Sequence, residues 1–177
     1  MMSSRTFKIV LPVVLVVGVM ATGTGEAGTV YVGAHAGKIL LKDNAKDELN
    51  EDLYCGGLLV GMDTLDWKQS TLAVEADFSV PLVKGTTVDY GDWSLWTAGL
   101  YGALRVGKEA AFLKLKAGLI YENLDVEAPG AEGADDMGLS LGLGGGFRLG
   151  ERVFIEIEAA VIDEKMGYLR GAVGYLF

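Results

Sequence analysis

Apolar residues recur at every second position along most of the chain after residue 28, and no long segment follows a helical period. In Leu72–Val80, one face carries Leu, Val, Ala, Phe and Val, and the other carries Ala, Glu, Asp and Ser. Val153–Val161 repeats the pattern, with Glu156 and Glu158 between apolar neighbours. A period of two predicts β-strands with one apolar and one polar face.

Eight segments carry this alternation, and each has about the length that a tilted strand needs to cross a bilayer. They cover residues 29–41, 53–65, 70–82, 93–106, 111–122, 136–149, 153–162 and 166–177. Short connections (66–69, 107–110 and 150–152) alternate with longer polar ones (42–52, 83–92 and 123–135), and only the last, near 163–165, is short on the long side. The chain is therefore predicted to be all-β, an eight-stranded antiparallel up-and-down transmembrane β-barrel with short periplasmic turns and longer outer loops.

The amino-terminal segment has the composition of a secretory signal peptide. Arg5 and Lys8 precede 13 uncharged residues, 9–21, which is shorter than the roughly 20 residues of a membrane-spanning helix. Small residues at 25 and 27 favour cleavage after Ala27, although cleavage after Ala21 is an alternative. We expect residues 1–27 to be removed on export and residues 28–177 to form the barrel domain.

Composition excludes several classes of protein. A net charge of −9 argues against nucleic-acid binding, which needs clustered Lys and Arg. The chain has one Cys and one His, which excludes a disulfide scaffold and a multi-histidine metal site. We therefore expect no cofactor and no resident metal.

The negative charge is concentrated in the connections predicted to lie outside. Residues 42–52, 83–92, 123–136 and 163–165 hold 14 acidic and 4 basic residues, whereas the rest of the mature chain is neutral. Acidic connections of this kind are usually only solvated by water. Their carboxylate oxygens are also candidate ligands for weakly bound Ca²⁺ or Mg²⁺, with the cation shared between the protein and lipopolysaccharide phosphates. The candidate ligands are Asp43, Asp47, Glu48, Glu51, Asp52, Asp135 and Asp136.

If the apolar face meets lipid, the opposite face points into the barrel and carries matched charges. The predicted interior set is Glu75, Asp77, Arg105, Lys114, Lys116, Glu122, Arg148, Glu156, Glu158 and Arg170. An unpaired charge would be costly there, so five acids and five bases predict mutual ion pairs. We expect a filled interior with isolated water pockets beside the inward glycines, and a neutral, hydrogen-bonded His35.

Outward aromatic residues are predicted near both ends of the strands. Tyr54, Phe78, Trp96 and Tyr121 lie toward the loop end, and Phe147, Tyr175 and Phe177 lie toward the turn end. Two aromatic rings at the two interfaces are typical of a membrane barrel.

A family resemblance is carried by three short segments, Tyr31–Ala34, Leu72–Glu75 and Leu100–Arg105, and most of all by the carboxyl-terminal strand. In these segments the chain resembles the small eight-stranded outer-membrane proteins of OmpA/OmpX type. The carboxyl-terminal strand alternates outward through Leu169, Gly171, Val173, Tyr175 and Phe177. The resemblance implies an outer-membrane location and an assembly signal at Leu169, Val173, Tyr175 and Phe177, read by the barrel-assembly machinery. No peptidoglycan-binding domain follows the barrel pattern, so cell-wall tethering is not carried over.

Four functions are compatible with this pattern to different degrees. The favoured hypothesis is a monomeric structural envelope component with a closed interior, surrounded by outer-membrane lipid and lipopolysaccharide and presenting acidic loops. A small porin-like channel for ions or small solutes is the alternative. A membrane enzyme is disfavoured, because the only His has Gly37 as its same-face neighbour. A soluble lipocalin-type barrel would place the apolar face inside.

Overall fold

The computed structural model describes residues 28–41, 53–86, 91–107, 110–126, 134–162 and 166–177. Eight long strands occur within these ranges. They are β1 (Val30–Leu41), β2 (Leu53–Trp67), β3 (Ser70–Val83), β4 (Asp92–Val106), β5 (Ala111–Val126), β6 (Ala134–Leu149), β7 (Val153–Val161) and β8 (Met166–Leu176). A two-residue strand, Gly85–Thr86, continues the pairing onto β4 beyond the end of β3.

The strands form one closed antiparallel barrel. Each strand pairs with the next in the chain. The last strand, β8, then pairs with β1, from Tyr31 opposite Leu176 to Leu41 opposite Met166. Closure leaves no edge strand with unpaired amide groups, which a lipid environment would not tolerate. The predicted eight-stranded up-and-down barrel is confirmed.

The strand ends differ from the sequence prediction mainly in the hairpin of β5 and β6. Pairing continues out to Leu124 opposite Ala134, and includes Asn123 opposite Asp135. Polar residues can stay in a ladder once the strands leave the hydrocarbon, because only their backbone groups need to pair. At the other end of β6 the chain turns through Gly150, whose φ of +72° favours glycine.

The polar face of the strands points inward and the apolar face points outward. In β7, Glu156 and Glu158 are buried, whereas the neighbouring Ile155 and Ile157 are exposed on the outer surface. This orientation is opposite to that of a lipocalin, so the soluble-barrel alternative is wrong. No helix in the described ranges is long and apolar enough to cross a membrane.

Outward aromatic side chains cluster at two levels of the barrel wall. At the loop end, the Trp96 ring lies 6.0 Å from that of Phe78 and 5.3 Å from that of Tyr121, measured between centroids. At the turn end, the rings of Tyr175 and Phe177 are 5.1 Å apart. These two levels mark the membrane interfaces.

Candidate functional site: an ion-paired network inside the barrel

Lys114 of β5 lies at the centre of a cluster of buried charges. Its Nζ is 2.8 Å from Glu75 Oε2, 2.9 Å from Glu156 Oε1 and 3.1 Å from Glu158 Oε2. The three carboxylates come from β3 and β7, and all four side chains are almost fully buried. Lys114 Nζ donates a hydrogen bond to Glu156 Oε1 and forms ion pairs by distance with the other two carboxylates.

Arg105 of β4 joins this cluster from the turn-end side. Its Nη2 is 2.6 Å from Glu75 Oε1, and its Nη1 is 3.1 Å from Asp63 Oδ1. The guanidinium carbon lies 4.2 Å from the centroid of the Tyr31 ring, and the Tyr31 hydroxyl donates to Glu75 Oε1 at 2.8 Å. The planar guanidinium is thus held both by carboxylates and by an aromatic face.

Lys116 and Arg170 extend the cluster toward the loop end. Lys116 Nζ is 2.7 Å from Glu158 Oε1 and donates to the Tyr168 hydroxyl at 2.6 Å. Arg170 pairs with Glu158 at 3.1 Å through Nη2, and its Nη1 donates to Asp77. These contacts connect β3, β5, β7 and β8 across the barrel.

His35 lies on the inner face of β1 beside the same aspartate. Its Nε2 is 3.5 Å from Asp77 Oδ1, and the Ser79 hydroxyl donates to that oxygen at 3.4 Å. The Ser79 hydroxyl therefore contacts the aspartate, whereas a Ser-His-Asp catalytic triad requires the serine hydroxyl to be hydrogen-bonded to the histidine. All three residues are buried, so the cluster presents no exposed nucleophile.

Two clusters of apolar side chains, called here the loop-end layer and the turn-end layer, also lie in the interior, and Arg105 packs against Tyr31 and Phe154 of the turn-end layer. The layer at the loop end comprises Ile39, Leu41, Leu53, Cys55, Trp93, Leu95, Ile120, Ala160, Ile162, Met166 and Tyr168. The layer at the turn end comprises Tyr31, Leu59, Ala73, Ala103, Phe154 and Leu176. Most of the buried ion pairs thus lie in the middle section of the inward face, between residues of the two layers, whereas Glu122 is buried farther toward the loop end.

The structure places nine of the ten predicted interior charges in the barrel interior. Eight of them make the ion pairs described above, and Glu122 is buried farther toward the loop end. Arg148, in contrast, is exposed at the turn end of β6, because it is the second-last residue of that strand. Asp63 is the buried acid absent from the prediction, although it shares its face of β2 with Gly57 and Leu59.

The loop residues proposed as cation ligands fall largely outside the part that the structure describes. Asp43, Asp47, Glu48, Glu51 and Asp52 all lie in the segment 42–52. Asp135 and Asp136 are exposed; Asp135 Oδ2 accepts from the Tyr121 hydroxyl at 3.2 Å, and Asp136 Oδ1 accepts from the Met137 amide. No group of three His, Cys, Asp or Glu suited to a metal occurs among the described residues. Cation binding therefore stays a prediction.

The residues of the predicted assembly signal all face outward, three of them on β8 and Phe177 directly after it. Leu169, Val173, Tyr175 and Phe177 are exposed on the outer wall. The Phe177 amide donates to the Val30 carbonyl at 2.8 Å, so the last residue takes part in closing the barrel.

Deleting Phe177 is expected to lower the amount of protein inserted in the outer membrane. The deletion removes both the outward terminal ring and the final hydrogen bond to β1. The measurement is the folded fraction in outer-membrane preparations, read from the heat-dependent gel shift, with Phe177→Tyr as the control that keeps a terminal aromatic ring. Equal folded amounts of wild type and deletion would contradict the assignment of the signal.

An outward apolar belt, two aromatic levels and a closed sheet together define a transmembrane β-barrel. Residues 9–173 match the family model for the outer membrane protein beta-barrel domain. The chain belongs to this family, and its location is the bacterial outer membrane.

Solved structures of small outer-membrane barrels are similar to this chain. The attachment invasion locus protein Ail of Yersinia pestis matches with a TM-score of 0.61 at 12% identity, over 85% of this chain and 99% of its own. The amino-terminal barrel domain of Pseudomonas aeruginosa OprF gives 0.55 at 14% identity, over 85% and 99%. Neisserial surface protein A gives 0.51 at 14% identity, over 84% and 96%. A search of curated protein sequences finds no match. At these identities the likeness concerns the fold.

Proposed function

We propose that this protein is a closed structural component of the outer membrane that presents acidic loops to the outside. The observation that carries the proposal is the buried ion-paired network between two apolar layers. Lys114, Glu75, Glu156 and Glu158 occupy the middle of the lumen, each almost fully buried. An ion crossing the barrel would have to separate these pairs in a medium of low dielectric constant, at a cost of several kcal/mol.

The loop-end layer supports the same proposal. Trp93, Leu95 and Ile39 are almost completely buried in the lumen near the outer mouth. An apolar constriction opposes ion passage by excluding water. The inward glycines Gly142, Gly144 and Gly146 on β6 favour the alternative, a small pore, because they leave one side of the wall without side chains. However, Lys116 packs over Gly142, and Glu156 and Glu158 lie against Gly146 and Gly144.

The charge of the outer connections bears on what the loops could contact. One structure of Ail was determined in complex with a heparin analogue, sucrose octasulfate. The connections of the present chain carry 14 acidic and 4 basic residues, so a polysulfated ligand would be repelled. We therefore propose that the loops contact cations or cationic surfaces, and we do not carry the sulfated ligand over.

Single-channel recording of the refolded protein in a planar bilayer tests the closed lumen. We expect no discrete openings from protein whose folding has been verified by its gel shift on heating. The positive control is Trp93→Gly combined with Lys114→Gly, which removes one bulky side chain from the loop-end layer and one from the network. Reproducible openings of the wild-type protein would favour the small porin-like channel instead.

A further inference from the structure

The outer wall of the barrel carries an apolar groove on the side of β7. The groove has a volume of about 540 Å³ and is lined mainly by apolar side chains. Leu40 of β1 lies at one end and Leu115 of β5 at the other, with Ala159 of β7 and Gly167 of β8 between them. The groove thus crosses five neighbouring strands on the face that meets lipid.

Small residues create the groove. Gly167 pairs with Leu40 on one side and with Val161 on the other, and Val161 pairs with Leu141 of β6. Along this row, Gly167 contributes no side chain between larger neighbours. In the next row, Ala159 lies between Leu143 and Leu169. The wall is therefore recessed at Gly167 and Ala159, between the larger side chains of Leu40, Leu143, Val161 and Leu169.

The groove follows the direction from the loop end toward the turn end. Leu40 is the second-last residue of β1 at the loop end, whereas Leu115 is the fifth residue of β5 counted from the turn end. A chain lying in the groove would thus begin near the outer interface and continue into the hydrocarbon core of the bilayer.

A positive charge lies beside the loop-end part of the groove. Lys38 shares the outward face of β1 with Leu40 and is paired with Tyr54 of β2 and Leu169 of β8. Its Nζ is 5.8 Å from the centroid of the Tyr54 ring, at the level of the loop-end aromatic residues. A lysine at this depth can reach the lipid phosphates at the interface.

We propose that the groove binds one acyl chain of the lipid A part of lipopolysaccharide, with Lys38 next to a lipid A phosphate. The apolar recess matches the chain, and the cation beside its loop-end part matches the phosphate group. The loop-end position selects the outer leaflet, whose lipid is lipopolysaccharide. This site is independent of whether the lumen is open or closed.

Mass spectrometry of protein extracted from outer membranes in a mild detergent tests the site, because it counts lipid A molecules retained per barrel. Ala159→Leu fills the groove from the outer wall, and Val161→Phe fills it from the end of β7. Both are expected to lower retention about tenfold, equivalent to the loss of about two buried methylene groups. Lys38→Gln removes the charge and is expected to lower retention as well. The matched control is Ala34→Leu, which also enlarges an exposed, outward alanine of β1 but lies nearer the turn end.

The outcomes separate the occupants of the groove. Lipid A lost from Ala159→Leu and Val161→Phe, but kept by Ala34→Leu, supports the proposal, provided that all variants show the folded gel shift. Equal retention by all variants overturns it. Retention of phospholipid in place of lipid A overturns the assignment, as does a dimer whose contact is abolished by Ala159→Leu while no lipid A is bound.

Discussion

Replacing Lys114 by Met is expected to destabilise the barrel by about 3–5 kcal/mol, the range for breaking a buried ion pair by removing one partner. Lys114 is the cation that contacts three carboxylates, those of Glu75, Glu156 and Glu158. Without it, these acids remain buried with fewer compensating charges. The measurement is the free energy of unfolding from a urea titration in lipid vesicles, followed by the heat-dependent gel shift.

Two further variants test whether charge balance causes this loss. Lys68→Met removes a lysine from the exposed turn between β2 and β3 and is expected to change stability by less than about 0.5 kcal/mol. Adding Glu156→Gln to Lys114→Met removes one uncompensated acid and should restore part of the loss. A Lys114→Met barrel that is as stable as the Lys68→Met barrel would show that the buried charges are not coupled.

Replacing Ile157 by Arg is expected to cost about 2–4 kcal/mol, the range measured for Arg on the lipid face near the bilayer midplane. Ile157 is the middle residue of β7, and its side chain is 64% exposed on the outer wall. In a soluble barrel the same substitution at an exposed position would change stability by about 0.5 kcal/mol or less. Urea titrations in lipid vesicles measure the difference in the free energy of unfolding between the wild type and Ile157→Arg.

Leu149→Arg provides the depth control for this variant. Leu149 is the last residue of β6, at the turn end, and is 56% exposed. Its substitution is expected to cost about 0–1 kcal/mol, because charge is tolerated near the interface. Equal losses at Ile157 and Leu149 would mean that the outer wall does not experience a gradient of polarity between these two depths.

The strands and their facing could be predicted from the sequence because both depend on a period of two. Glu156 and Glu158 alternate with apolar neighbours. In a membrane, the apolar residues can face lipid and the charged residues can find partners only if the polar face points into the barrel. The carboxyl-terminal alternation up to Phe177 was equally readable. The alternation of apolar and polar residues is therefore sufficient to predict the fold and most of the interior charges.

The pairing of those charges could not be read in the same way. Which carboxylates meet Lys114 depends on the register between strands, and no local signal gives that register. Asp63 lies beside a shift of register between β2 and β3, where alternation is interrupted before Leu65. Arg148 follows the inward alternation, but it is the second-last residue of β6 at the turn-end rim, where its side chain is exposed.

The two apolar interior layers were missed for a related reason. Ile39 and Leu41 follow His35 and Gly37 on the inner face, so the inner face changes from polar to apolar along one strand. Alternation assigns a side chain to a face but not to a height in the barrel. The sequence signal for the loop-end layer is a change from polar to apolar residues along the inner face of a single strand.

The ion pairs join parts of the chain that are synthesised far apart. Arg170 and Asp77 are separated by 93 positions, and Lys114 and Glu156 by 42. A slip of one residue at the seam between β1 and β8 would turn Arg170 toward lipid and leave Asp77 without its guanidinium. A slipped pairing of β1 with β8 is therefore costly, because it leaves buried charges without partners. The barrel is expected to close in the correct register. The buried charges therefore favour the correct seam over a slipped one, and barrel formation is expected to be slow, because these contacts are non-local.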